Sequence, residues 1–153
     1  MIRLTRLPPS EKNWFRQTIN DYFQELVPNS APLDSNFVEA LWQNPSLTLL
    51  AIQSTPGRVG FAIIQKHTDS HELSEFCILP DHRGAGLGAR AATLCLERHP
   101  GAWTLVVASA LPGTARFWDR LLPTLPGVSH LGRGPALTPH QSHSYAFTYK
   151  GTP

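Results

Sequence analysis

A glycine loop and two nearby carboxylates are the parts of this sequence best suited to chemistry. The loop, RGAGLGA, runs from Arg83 to Ala89, and the carboxylates of Glu72 and Glu75 come shortly before it. Glycines let a backbone approach a phosphate closely, and the unpaired amides at a helix N-terminus attract an anion. A carboxylate can give or take a proton. The residue types therefore indicate a phosphate-binding loop preceded by two candidate acid–base groups.

The glycine loop fits two known patterns. Residues 84–89 match G-x-G-x-x-A, a form of the dinucleotide-binding fingerprint, and residues 83–88 match Arg-x-x-Gly-x-Gly. The fingerprint needs its first glycine almost directly after a strand, and an acidic residue about twenty positions further on. Here PDHR separates the strand from Gly84, and the next predicted strand ends in Val-Ala-Ser without a carboxylate. The three antiparallel strands predicted before the loop also fit the fingerprint's fold poorly, so the second pattern is favoured.

The apolar patterning predicts a mixed α/β (α+β) fold around this loop. The loop follows a meander of strands, and a strand–loop–helix–strand unit needs a right-handed crossover, which makes its two strands a parallel pair. We therefore expect a single mixed, mostly antiparallel sheet flanked by helices. The cues place strands at 2–6, 47–53, 58–67, 72–79, 103–109 and 143–151, and helices at 11–27, 36–42 (capped by Asp34 or Ser35), 86–98 and 114–123. Residues 124–141 carry few cues.

Length and composition narrow the class of protein. The 153 residues favour one domain over 1–153, and a net charge of +2 with dispersed basic residues does not suggest a nucleic-acid partner. The sequence shows no apolar run long enough for a membrane span and no signal-peptide pattern, so we expect a cytoplasmic protein without a membrane partner. Cys77 and Cys95 read as isolated core thiols. The histidine pairs bring no further ligands at metal spacing, so we expect no metal site: His67 with His71, and His140 with His143.

Three segments resemble the GNAT N-acetyltransferase superfamily: EFCILPDHRGAGLG, ERHPGAW and ARFWDRLLP, within residues 75–122. Within that superfamily they resemble a bacterial group with Phe-Trp in place of the Phe-Tyr of the fourth-helix motif. The resemblance implies an acetyl-CoA-dependent N-acetyltransferase. In such enzymes the loop amides cradle the CoA pyrophosphate; here they would come from Arg83, Gly84, Ala85, Gly86, Leu87, Gly88 and Ala89.

The resemblance also implies how the acetyl group is presented. The strand before the loop should splay from strand 103–109 and open a slot for the pantetheine arm, paired with the backbone of Cys77, Ile78 and Leu79. The amine of a small molecule or a peptide then attacks the acetyl carbonyl directly, without a covalent enzyme intermediate. The acceptor pocket is expected between residues 11–45 and 123–150. A homodimer is plausible from the resemblance alone.

One residue that is typical of the resembled superfamily is replaced in this sequence. Many members carry a tyrosine on the fourth helix that can protonate the departing CoA thiolate, and Trp118 takes its position here, with Leu111 at the Asn position of the same motif. Tryptophan has no acidic proton to give. Trp118 is expected to pack against the CoA arm or the core, while Ser109 or a water supplies any acid. The missing tyrosine leaves open an alternative, a non-catalytic acyl-CoA-binding or regulatory module.

Two carboxylates are candidates for the general base. Glu75 is favoured because it matches an acid in the strand motif of the resembled group, and Glu72 is the second candidate. Lying three residues apart on a strand, the two are expected to point to opposite faces of the sheet.

Overall fold

The computed structural model describes residues 1–108, 112–139 and 141–151. These residues form one seven-stranded sheet with helices packed on its two faces. The strands are β1 (Arg3–Arg6), β2 (Leu47–Ser54), β3 (Gly57–Lys66), β4 (His71–Ile78), β5 (Gly101–Ala108), β6 (Val128–Pro135) and β7 (Gln141–Tyr149). The helices are α1 (Lys12–Leu26), α2 (Ser35–Gln43), α3 (Leu87–Glu97) and α4 (Pro112–Leu121).

The sheet is mixed and mostly antiparallel, as predicted. Its strand order is β1-β2-β3-β4-β5-β7-β6, and β4 with β5 is its parallel pair. These two strands pair only where residues 71–73 meet residues 103–105, although each continues for several residues beyond. The predicted splay is therefore confirmed, and it opens a slot after Leu73.

The two faces of the sheet carry separate cores. On one face α1 and α2 cover β2 and β3, through a cluster that includes Phe15, Ile19, Val38, Phe61 and Ile63. On the other face α3 and α4 cover β5 and β7, through a cluster that includes Cys95, Leu96, Trp118, Leu105 and Phe147. The predicted cap of α2 is confirmed, since the Asp34 carboxylate accepts a hydrogen bond of 2.8 Å from the Asn36 amide. Each of these helices thus buries an apolar stripe against its face of the sheet.

The prediction of six strands is wrong, because β6 forms within the region that carried few cues. Gly132, Gly134 and Pro135 are poor strand formers, and His130 adopts a positive φ of 55°. The pairing with β7 also shifts register between Ser129 and Gly132. Since β6 is an edge strand that is mostly exposed, it lacks the apolar alternation by which strands are recognised.

The described part of the chain contains no helix with the length and apolar character needed to cross a membrane.

Candidate functional site

The glycine loop forms the entry to α3 through left-handed backbone. Gly84 has φ of 87° and Gly86 has φ of 77°, a conformation that L-residues with a side chain rarely adopt. Gly86 stands at the N-cap of α3 without a side-chain cap, so the amides of the first turn have no side-chain acceptor at that position. Residues 84–86 are exposed. The loop therefore presents backbone amides and the positive end of the α3 dipole to a ligand.

Gly88 serves a different purpose, which is close packing. A Cβ atom at this position would lie 3.0 Å from the Phe117 ring of α4. Phe117 in turn lies against Trp118, with ring centroids 4.8 Å apart. The absence of a side chain at Gly88 thus lets α4 approach the first turn of α3 on the far side of the slot.

Arg83 braces the loop to α1. Its guanidinium donates two hydrogen bonds of 2.6 and 2.8 Å to the Glu25 carboxylate, and its Nε donates one of 2.7 Å to the Ile78 carbonyl. Its backbone amide is bonded to the Pro80 carbonyl at 3.3 Å. The guanidinium holds the pKa of Glu25 below its usual value. In this arrangement both polar parts of Arg83 already have protein partners.

The backbone of β4 turns alternate amides toward the slot. Leu79 donates a hydrogen bond of 2.8 Å to the Val59 carbonyl, and Cys77 opposes Phe61, so both amides point toward β3. By the same alternation the amides of Phe76 and Ile78 point toward β5, where the strands have separated. Of the three residues predicted to pair with pantetheine, Ile78 faces the slot, whereas Cys77 and Leu79 do not. Phe76, which the sequence did not single out, joins Ile78.

The two candidate bases lie on the same face of the sheet, so the prediction of opposite faces is wrong. Glu75 opposes Ile63 and Glu72 opposes Gln65, while the register shifts between them and leaves Ser74 as an extra residue. An extra residue of this kind is a β-bulge, and it reverses the alternation of side chains along the strand. Both carboxylates therefore face the side of the sheet that α1 and α2 cover.

Glu75 has the more perturbed carboxylate. Burial raises its pKa from 4.5 to about 7, a hydrogen bond with Tyr22 lowers it, and the nearby charge of Glu72 raises it. It lines a pocket of about 260 Å³ between α1, α2 and the sheet. The pocket has apolar walls, among them Ile19, Phe23 and Ile63, and polar walls from Asn44, Gln65 and Ser74. A carboxyl group with a pKa near neutrality in such a pocket is a suitable general base.

Glu72 lines a second pocket on the same face. This pocket of about 400 Å³ also involves Thr104 of β5, Arg133 of β6 and Ser144 of β7. The Glu72 carboxylate is 2.8 Å from Nε2 of His67, which the turn between β3 and β4 supplies. Glu72 therefore pairs with a histidine, whereas Glu75 lines a pocket whose other described lining residues carry no charge.

Trp118 lies in the core. Its side chain is 4% exposed, and its ring packs edge-on against Phe76 with centroids 5.4 Å apart. Of the two placements expected for it, the structure shows the core, where it supports β4 from the α4 side. The proposed acid Ser109 and the motif position Leu111 lie outside the described residues.

The histidines are distributed over separate contacts. The ring of His71 stacks on His99 with centroids 4.0 Å apart, and buried His143 lies 3.1 Å from the Asp119 carboxylate. His140 lies outside the described residues. Within residues 1–108, 112–139 and 141–151, no group of three His, Cys, Asp or Glu side chains is arranged to hold a metal ion.

Sequence reasoning missed two site residues on α1. Tyr22 and Glu25 are one helical turn apart; Tyr22 lowers the pKa of Glu75, and Glu25 accepts hydrogen bonds from Arg83. Their spacing shows that they share a helix face, yet nothing in the sequence links that face to β4.

Together these features describe a mixed sheet that splays beside an amide-rich loop, the architecture expected for a CoA-dependent acyltransferase. The model of the Acetyltransferase (GNAT) family matches residues 14–122, well over half of the chain. The chain therefore belongs to the GNAT acetyltransferase family. A search of curated protein sequences finds no match.

Solved structures show the same fold at low sequence identity. Spermidine N-acetyltransferase from Vibrio cholerae, in complex with CoA and spermine, aligns with a TM-score of 0.71 at 12% identity, over 97% of this chain and 95% of that chain. A GNAT-family acetyltransferase from Staphylococcus aureus Mu50 aligns with 0.71 at 13%, over 98% and 100%. The ribosomal-protein-S18-alanine N-acetyltransferase from Escherichia coli aligns with 0.64 at 15%, over 100% and 97%.

Proposed function

We propose that this protein is an N-acetyltransferase that moves the acetyl group of acetyl-CoA to a primary amine of a small molecule or peptide. The observation that carries this proposal is the position of Glu75. Its carboxylate, with a pKa of about 7, lines a pocket with both apolar and polar walls. On the same strand, the amides of Phe76 and Ile78 face the slot. A base, an oxyanion donor and a phosphate loop thus follow one another along one segment.

The residues present fit acetyl-CoA, which supplies the acetyl group on its thioester. The loop amides of residues 84–89 would hold the pyrophosphate at the start of α3. The Ile78 amide would pair with the pantetheine arm as an added strand does. The Phe76 amide is the donor placed to stabilise negative charge on the carbonyl oxygen. Arg83 would hold the loop in place through Glu25 rather than bind phosphate with its guanidinium.

On the acceptor side, Glu75 acts as the general base. Its carboxylate takes a proton from the substrate ammonium, and the neutral amine nitrogen forms a bond to the acetyl carbon as the carbon–sulfur bond breaks. The nitrogen, now bonded to the acetyl carbon, gives up its extra proton to form the neutral amide, and a water passes one proton to the thiolate, which leaves as free CoA. Glu72, bonded to His67, is the second candidate for the base. Trp118 acts from the core, where its contact with Phe76 supports the slot.

The proposal also covers the domain organisation, the cellular compartment and the oligomeric state of the protein. One sheet connects the strands from β1 to β7, which supports residues 1–153 acting as a single acetyl-CoA-binding domain. The free, buried thiols Cys77 and Cys95 suit a reducing cytoplasmic compartment. A homodimer is an expectation from the family resemblance.

The rival function is a non-catalytic acyl-CoA-binding module. It is favoured by Trp118, which stands at the position of the family's tyrosine and is buried in the core. Thermal unfolding with CoA and acetyl-CoA, followed by thiol release across a panel of amines, separates the two functions. A ligand at about 100 times its dissociation constant adds about 2.7 kcal/mol of stability.

The outcomes are distinct. Stabilisation by acetyl-CoA together with thiol release on an amine supports the acetyltransferase. Stabilisation without release on any amine supports the binding module. No stabilisation by either ligand contradicts the assignment of the glycine loop to CoA.

A further inference from the structure

The proposed reaction leaves the second pocket, which has a volume of about 400 Å³, without a ligand. Its described lining residues lie on strands β4 to β7 and at Leu137, between β6 and β7, so no helix contributes to this lining. The volume falls within the range of about 300–1,000 Å³ that is usual for small-molecule sites. It is also much larger than an acetyl group. The pocket can therefore hold a ligand group of its own.

The floor of this pocket consists of small side chains. Leu105 and Tyr145 belong to the core under α3 and α4, so strand alternation turns their neighbours on β5 and β7 to the opposite face. Two rows of paired residues cross β5, β7 and β6 on that face: Thr104, Ala146 and Gly132 in one, and Val106, Ser144 and Gly134 in the other. Each row ends in a glycine on β6. The floor therefore forms a shallow trough that a narrow carbon chain can fill.

Two polar side chains of the pocket already have protein partners. The Glu72 carboxylate lies 2.8 Å from Nε2 of His67, and the Ser144 hydroxyl donates a hydrogen bond of 2.9 Å to the Pro135 carbonyl. Leu137 lines the same pocket and is 72% exposed. An aliphatic chain in the trough would remove this apolar surface from water, which is favourable. These features suit an aliphatic group better than a charged one.

The pocket begins at the closed end of the slot. Glu72 pairs with Thr104 in the short parallel ladder, and both residues line the pocket. The slot opens after Leu73, where β4 separates from β5. In the proposed function the pantetheine arm runs along β4 from Ile78 toward Phe76, so the thioester arrives at this closed end. An acyl chain longer than acetyl would continue from there onto the floor of the pocket.

We propose that the second pocket holds the acyl chain of the donor, so that the protein binds straight-chain acyl-CoA thioesters such as hexanoyl-CoA and octanoyl-CoA more tightly than acetyl-CoA. This inference rests on the proposed function, which brings the thioester to Phe76. The acceptor enters from the Glu75 pocket, so the two carbon skeletons lie on either side of β4.

The transfer step is the same for a longer acyl group. The ammonium of the acceptor loses one proton to Glu75, and the amine nitrogen bonds to the acyl carbon as the carbon–sulfur bond breaks. The nitrogen then gives up its extra proton, and a water passes one proton to the thiolate. The products are a longer-chain amide and free CoA, and the proton on Glu75 returns to solvent.

The test is calorimetric titration with acetyl-CoA, hexanoyl-CoA and octanoyl-CoA, which needs no acceptor amine. A fully buried methylene strengthens binding about fourfold, and a chain in an open trough gains part of this. Octanoyl-CoA should therefore bind to the wild type at least about tenfold more tightly than acetyl-CoA. In Ala146→Phe a ring occupies the trough, so the two affinities should become about equal while the affinity for acetyl-CoA stays unchanged.

The matched control is Ala102→Phe. Ala102 is an exposed alanine on the same face of β5 as Thr104, and it is not among the residues that line the pocket. This variant should keep the preference for octanoyl-CoA. If Ala146→Phe fails to fold, Gly132→Val fills the other end of the same row. The Gly132 backbone lies outside the left-handed region, and the atom nearest to its added Cβ would be the Ala146 carbonyl oxygen at 3.9 Å.

The inference and the proposed function can fail separately. Equal affinity of the wild type for octanoyl-CoA and acetyl-CoA overturns the inference and leaves the acetyltransferase in place. A preference for octanoyl-CoA that survives in both pocket variants also overturns it, and a raised KM for the amine in those variants would then assign the pocket to the acceptor. A preference that the pocket variants lose and Ala102→Phe keeps supports the inference, even if no amine releases thiol and the transferase fails. A wild type that binds none of the three thioesters overturns both.

Discussion

Replacing Glu75 by Gln should stabilise the protein above pH 7 and remove most of its transferase activity. Burial raises the pKa of this carboxyl from 4.5 to about 7 in the folded state. Between these values the folded protein binds a proton that the unfolded chain releases, so stability falls as the pH rises through this window. The difference corresponds to about 3 kcal/mol at 1.36 kcal/mol per pKa unit. Glutamine stays neutral and avoids this loss.

The assay is thermal unfolding of the wild type and Glu75→Gln at pH 4 and pH 8. At pH 8 the variant should melt higher by up to about 6–12 °C, since 1 kcal/mol moves the Tm of a chain of this size by about 2–4 °C. At pH 4 both proteins carry a neutral side chain at position 75, and the difference should vanish. The control is Glu39→Gln on α2. The Glu39 carboxylate accepts a hydrogen bond from Lys12, which lowers the pKa of Glu39, so its removal should give no stabilisation at pH 8.

The activity of the same variant provides the second half of the test. Loss of a general base should reduce kcat/KM by about 10²–10⁴-fold. In the wild type, a base with a pKa near 7 should make kcat/KM rise about tenfold between pH 6 and pH 8. An acid limb near pH 4.5, or a Glu75→Gln protein no more stable than the wild type at pH 8, would refute the reasoning.

Three further predictions follow from the slot and its pocket. Gly88→Ala should cost about 1–3 kcal/mol in chemical unfolding because its Cβ meets Phe117, whereas Gly113→Ala, with nothing within 4 Å of its Cβ, should not destabilise. Glu25→Gln should change stability by less than about 1 kcal/mol, since the pair is partly exposed, yet reduce the CoA-induced rise in Tm as Arg83 loses its anchor. A primary amine on an apolar body, such as phenethylamine, should show a kcat/KM at least about tenfold above that of spermidine, because the pocket offers aromatic walls and, among its described lining residues, no second carboxylate to pair with a further ammonium. Equal rates for the two amines would contradict this.

Local signals in the sequence were sufficient for most of the fold. The glycine loop, the meander before it and the apolar strand after it each depend on a short stretch of chain, and together they predict the parallel pair and its splay. The sequence did not predict edge strand β6, because its glycines, its proline and its register shift remove the alternation that identifies a strand. Its place in the sheet depends on pairing with β7, which is a tertiary property.

The sequence also gave the wrong relative orientation for the Glu72 and Glu75 carboxylates, for a related reason. Glu72 and Glu75 are three residues apart, and regular alternation would separate them across the sheet. One extra residue, Ser74, reverses the alternation and puts both on the acceptor face. A serine carries no sequence signal for a bulge, so residue types at this spacing cannot show the shared face.

Helix α1 connects the two halves of the site. Tyr22 and Glu25 lie one turn apart; Tyr22 lowers the pKa of the candidate base on β4, and Glu25 accepts hydrogen bonds from the arginine that begins the phosphate loop. The distance between base and loop is therefore set by a rigid helical turn as well as by the strand that joins them. Because Arg83 also bonds to the carbonyl of Ile78, the mouth of the slot belongs to the same network. A displacement of α1 would reach the base, the slot and the loop together, so substitutions on this face should alter acceptor turnover and CoA binding in parallel.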